Sequence, residues 1–84
     1  MIKVLFFASL REELGTSELT IEAEHLPELN IRGVKNYLIE LHPEWNIALQ
    51  QPALLAACDQ VMVKPESQIQ DGAEVAFFPP VTGG

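Results

Sequence analysis

The stretch with the plainest chemical potential is "FFPPVTGG", residues 77–84. Pro79 and Pro80 cannot donate ladder hydrogen bonds, so strand pairing should end there, and both favour a stiffened, extended backbone. Val81 and Thr82 are β-branched and also prefer extended conformations. Gly83 and Gly84 bring no side chain at all. The expected result is a narrow arm that can enter a tunnel closed to any Cβ and present the terminal carboxylate of Gly84. On that arm Gly83 is the slender neighbour, and Pro80, Val81 and Thr82 form the inserted stem. The plain alternative is a frayed terminus.

Rival reactive groups are few. Cys58, in "LLAACDQ", falls at the end of an apolar segment, where a cysteine behaves as a small hydrophobe. No cationic or histidine neighbour in sequence would activate its thiolate. His25 and His42 stand alone, one in a connector and one at a helix end, where His42 can meet the helix dipole. No constellation of acid, base and nucleophile occurs inside the chain. If it does chemistry, the working atom belongs to the main-chain terminus.

Several elements must carry that arm. "IKVLFFA" (2–8) reads as a central strand, apolar on both faces. "SLREELG" (9–15) has room for one helical turn, and "ELTIEA" (18–23) alternates as a second strand, antiparallel to the first. Asn30 is a natural N-cap. From there Ile31, Val34, Leu38 and Leu41 form a helical apolar stripe, which Pro43 should end near Leu41 or His42. Gly33 inside that helix costs about 1 kcal/mol relative to alanine, and a close approach of the helix backbone to a sheet would account for it. "EWNIAL" (44–49) reads as a short turn with Trp45 folded over the core edge. "LLAAC" and "VMVK" (61–64) read as a hairpin. Asp71-Gly72 is a turn signal, followed by a last strand over Glu74–Phe78.

The first and last strands are the most hydrophobic and cannot be joined by a hairpin, so the pattern predicts parallel pairing at the centre of a mixed sheet that covers one main helix. That is an α+β, ubiquitin-like β-grasp fold, with residues 1–78 as the domain and 79–84 as its tail. A sheet covered on one side buries one face only. With Ile2, Val4, Phe6, Val75 and Phe77 turned toward the helix, Leu5, Phe7, Ala76 and Phe78 point the other way and form an apolar patch beside the tail. Such a patch marks a protein interface, unless segment 9–17 or 44–53 folds over it as a second small core. Arg11 and Lys64 are surface cations available to a partner's carboxylates.

Composition narrows the partners. Twelve acidic and five basic residues give a net charge of −7, which argues against nucleic acid or an anionic membrane and permits steering toward a basic protein surface. The apolar runs are far shorter than the ~20 residues of a membrane span, no signal peptide precedes them, and a cytoplasmic address is the expectation. One cysteine allows no internal disulfide, and no cysteine or histidine cluster suggests a metal.

The chain as a whole resembles the family of molybdopterin synthase small subunits, the sulfur carriers of molybdenum-cofactor biosynthesis. "IKVLFFA", "LLAA" and above all "DGAEVAFFPPVTGG" carry the likeness, while residues 16–50 match mainly in pattern. The resemblance implies a carrier with no cofactor of its own and no side-chain catalysis. An E1-like adenylyltransferase would use ATP to adenylate the Gly84 carboxylate, and a sulfur donor protein would convert the acyl-adenylate to a thiocarboxylate. The arm would then enter the large subunit of molybdopterin synthase, in a heterotetramer of two small and two large subunits, and deliver sulfur to a pyranopterin precursor to build its dithiolene. Two other readings stay open. One is a related β-grasp carrier or modifier serving thiazole synthesis or protein conjugation, and the other is a simple interaction module.

Overall fold

A computed structural model describes residues 1–80. Five strands and three helices alternate along the chain as β1 (Ile2–Phe6), α1 (Ala8–Leu14), β2 (Glu18–Ile21), α2 (Ile31–Leu41), α3 (Asn46–Leu49), β3 (Leu55–Cys58), β4 (Val61–Val63) and β5 (Glu74–Phe78). Short 3-10 turns at Ala23–His25 and Pro43–Trp45 bracket α2. The strand order is β2-β1-β5-β3-β4, with β1 and β5 parallel at the centre and every other pair antiparallel. This is the mixed sheet of the β-grasp fold, as the hydrophobicity of the first and last strands requires. The segment at 9–15 is a seven-residue helix rather than a single turn, and "EWNIAL" divides between a 3-10 turn and α3.

Alternation along β1 and β5 sorts their side chains cleanly. Ile2, Val4, Phe6, Val75 and Phe77 are buried against α2, with Ile31, Val34 and Leu38 facing them. Phe6 lies at the centre, with the Phe77 ring stacked on it at 6.3 Å and the Trp45 indole meeting it edge-on at 5.7 Å. Offset and edge-to-face geometry adds about 0.5–1.5 kcal/mol per pair beyond the area buried. Leu41 departs from the expected stripe and is 55% exposed. Ten residues at 3.6 per turn place it about 80° round the helix from Ile31, and it is the last residue of α2.

Asn30 caps α2. Its Oδ1 accepts the Gly33 N–H at 2.7 Å, while its Nδ2 donates to Glu28 Oε2 at 2.7 Å. A Cβ on Gly33 would stand 2.0 Å from the Glu28 carbonyl oxygen. The close approach that selects this glycine is therefore to the loop leading into its own helix, and not to the sheet. At the other end, the His42 N–H bonds the Leu38 carbonyl at 2.8 Å, and Pro43 prevents a further turn.

Two tight turns aim the strands around β5. Asp59 and Gln60 both have positive φ, 49° and 71°, the conformation of a two-residue type I′ hairpin whose twist matches its strands. Asp59 also ties that hairpin to β5, since its N–H donates to the Glu74 carbonyl and its Oδ1 accepts the Glu74 N–H, at 2.8 and 2.9 Å. Gly72, at φ 96°, supplies the left-handed residue of the turn before β5.

Candidate functional site

The face of the sheet turned away from α2 is built by the strand register. Glu18, Leu5, Ala76, Ala57 and Met62 stand in one row across all five strands. Toward the C-terminal end of β5, Leu55 is paired with Phe78, and Phe7 is held alongside by its N–H bond to the Phe77 carbonyl at 3.1 Å. Toward the opposite end, Lys3 is flanked by Thr20 and Glu74. The face is thus apolar where β5 leaves the sheet and charged where β5 enters it.

Leu5, Phe7, Ala76 and Phe78, which the alternation of the sequence turns outward, do come together here. Phe7 is 45% exposed, and the other three are half-buried. None belongs to the core between sheet and helix. The segments that could have covered them are committed elsewhere: Leu10 and Leu14 of α1, and Trp45, Ala48 and Leu49, all pack into the helix-side core. The apolar patch therefore lies open. The sequence reading missed Leu55, Ala57 and Met62, which enlarge it. Their phase follows once β3 is paired antiparallel with β5, because Leu55 then lies opposite Phe78 and Ala57 opposite Ala76. Ala57 is buried, yet its cover comes from neighbours on the outer face and not from the core.

Pro79 and Pro80 follow β5 directly, half-buried and outside any helix or strand. The remaining arm residues singled out by sequence, Val81, Thr82, Gly83 and Gly84, lie outside the described residues. Arg11 sits one helical turn beyond Phe7, its N–H reaching the Phe7 carbonyl at 3.4 Å. Lys64 is exposed just past β4.

The internal rivals have structural explanations. Cys58 is half-buried at the hairpin, its Sγ 3.9 Å from Asp59 Oδ2. Burial first, then the Asp59 charge, pushes the thiol pKa up, which keeps it protonated and a weak nucleophile at neutral pH. His42 stacks on Trp45 at 4.0 Å with its Nδ1 3.4 Å from Glu44, and His25 lies against Tyr37. Trp45 is a core residue. Among the described residues there is no pocket and no cluster of side chains able to hold a metal ion, and no helix is long and apolar enough to cross a membrane.

Residues 4–84 match the ThiS family. The molybdopterin synthase sulfur carrier subunit of Escherichia coli is 43% identical over 84 residues, and that of Haemophilus influenzae 38%, each alignment covering all of both chains. Among solved structures, SAMP1 from Haloferax volcanii superposes with a TM-score of 0.76 at 19% identity, covering 99% of this chain and 98% of that one. The complex of subunits 1 and 2 of the molybdopterin-converting factor from Helicobacter pylori contains a similar chain, with a TM-score of 0.66 at 15% identity and 99% and 97% coverage. These two share the fold. With the match running through the whole sheet and helix, this chain belongs to the ThiS family of β-grasp proteins.

Proposed function

We propose that this protein is the sulfur carrier of a molybdopterin synthase and that its reactive group is the Gly84 carboxylate. A carboxylate is a poor electrophile. Attack of its oxygen on the α-phosphorus of ATP, in an E1-like enzyme, expels pyrophosphate and gives an acyl-adenylate. Sulfur from a donor protein then displaces AMP and leaves a thiocarboxylate, a soft nucleophile on a thin arm. Inside the large subunit the thiocarboxylate sulfur attacks a pyranopterin carbon and displaces an oxygen leaving group. Water then hydrolyses the resulting thioester, which leaves sulfur on the pyranopterin and regenerates the carboxylate. The chain itself supplies reach and docking, while its partners supply acid, base and nucleotide site. The setting is the cytoplasm, where thiols stay reduced.

One observation carries this reading. The parallel β1–β5 pair brings the exit of the chain, at Phe78 and Pro79, to the apolar end of the open sheet face. A partner seated on Leu5, Phe7, Ala76 and Phe78 is thereby adjacent to the stem of the arm at Pro80. Identity of 43% and 38% over the full length of two molybdopterin synthase sulfur carrier subunits supports the choice of client. So does the presence of a similar chain beside subunit 2 in the H. pylori complex.

Intact-mass measurement after incubation with the activating enzyme, ATP and a sulfur source tests it. One oxygen should be replaced by sulfur, and a chain lacking Gly84 should stay unmodified while keeping its fold. An unchanged mass with competent partners overturns the reading, as does recovery of the chain from cells chiefly as amides of lysine side chains.

A further inference from the structure

The outer face has a polarity that the carrier reading does not require. At the end where β5 enters, Lys3 is paired with Glu74 on one side, and its Nζ lies 3.6 Å from Oε2 of Glu18, which stands one row further along at the β2 edge, opposite Leu5. Asp59 adds a third carboxylate at the same end, against the Glu74 backbone. At the other end, Lys64 follows Val63, which pairs with Ala56, so it stands level with Leu55 and beside the Phe78 row. Lys64 has no ion-pair partner among the described residues, although the chain carries a net charge of −7. The row between the two ends, Leu5, Ala76, Ala57 and Met62, is apolar except for Glu18 at its β2 edge, and Phe78 and Leu55 continue the apolar surface up to Lys64.

Apolar contact is non-directional. A flat patch of this kind would accept a partner rotated about the sheet normal, and a rotated partner would miss the arm. Charges of opposite sign at the two ends remove that freedom, because like charges brought together cost more than opposite ones return, and such pairs set register and encounter rate. We propose that this face takes the large subunit of molybdopterin synthase in a single orientation, with cationic side chains against Glu18 and Glu74 and a carboxylate against Lys64. The inference rests on the carrier reading above and adds to it the charge pattern of the partner's docking surface.

Binding of the large subunit is measured by calorimetry at low salt and at about 1 M salt, where the screening length falls to about 3 Å. The double variant Glu18→Gln with Glu74→Gln should weaken binding about tenfold at low salt, and Lys64→Gln should weaken it about threefold, both differences closing at high salt. The control is Glu24→Gln with Glu40→Gln, which changes net charge equally but lies away from the outer face, and it should leave affinity within about twofold. Glu74→Gln alone, which spares the Lys3–Glu18 pair, serves if the double variant is unstable. Equal effects of the two double variants would mean that net charge and not orientation is at work, and would overturn the proposal. So would affinities indifferent to both Glu74→Gln and Lys64→Gln. A protein that still becomes thiocarboxylated while failing these tests refutes only the oriented docking, since the mass change reports on the carrier reading separately.

Discussion

Leu5 and Ala76 are direct partners in the parallel ladder at the centre of the sheet, and both turn away from the helix. Their immediate neighbours along the chain, Val4 and Phe6 on one strand and Val75 and Phe77 on the other, are completely or almost completely buried on the opposite side. Core and outer-face side chains thus occupy alternate residues of the same two strands, so that one set can be altered while the other is left intact.

That separation predicts that Phe78→Asp, or Phe7→Asp, will cut affinity for the large subunit by at least tenfold, with little change in melting temperature. Aromatic residues at the middle of an interface carry most of its binding energy. Calorimetric titration alongside thermal unfolding checks it. A melting temperature that collapses together with binding would show these rings to be structural.

Phe77→Ala should do the reverse. It removes a fully buried ring stacked on Phe6 and should cost about 3–5 kcal/mol, measurable by urea unfolding. In a domain this small, that is a large part of total stability.

Gly33→Ala should destabilise the protein even though alanine is the better helix former. The propensity gain is about 1 kcal/mol, but the new Cβ would lie 2.0 Å from the Glu28 carbonyl oxygen. Relieving that clash means moving the loop that Asn30 and Glu28 hold together, at a typical cost of about 1–3 kcal/mol. Denaturant midpoints compared with those of Lys35→Ala, on the same helix, separate the two effects.

Gln60→Gly should raise stability by about 1 kcal/mol. Gln60 sits at φ 71°, where a side chain costs about 1–2 kcal/mol, while glycine is sterically unstrained and pays only a smaller entropic cost. An unchanged or lower unfolding midpoint would show that the Gln60 side chain makes a compensating contact.

The ion pair between the Met1 ammonium and Asp71 predicts two pH limits. Its hydrogen bond and charge lower the Asp71 pKa from 3.8 and raise that of the ammonium from 8.0. Asp71 therefore contributes stability above its unfolded pKa, and that contribution is lost as pH falls through the lowered folded value. The ammonium contributes fully below pH 8.0 and loses its contribution as pH rises through its raised folded value. Both groups are exposed, so the effect is small. Melting curves of Asp71→Asn and the parent chain should differ modestly at neutral pH and converge at both extremes.

Much of this architecture was legible in the residues taken in order. Period-two alternation in "IKVLFFA" and "EVAFF" marked both the core and the outward residues, because side-chain direction along a strand is a local property of the backbone. Asn30 announced the start of α2, and Pro43 its end, for equally local reasons. The Pro-Pro-Val-Thr-Gly-Gly stretch suggests the terminal carboxylate as the reactive group, a proposal that rests on residues 81–84, outside the described residues. Tertiary structure decided what depends on distant partners. Leu55, Ala57 and Met62 join the outer face only because β3 pairs with β5 in one register, and the exposure of Leu41 depends on what packs beside the last turn of α2. Gly33 is selected by a carbonyl in the preceding loop, and Lys64 comes level with Phe78 across two intervening hydrogen-bonded ladders. Alternation fixes which side of its own strand a residue occupies, whereas which residues become neighbours on that side depends on register, which only the folded chain supplies.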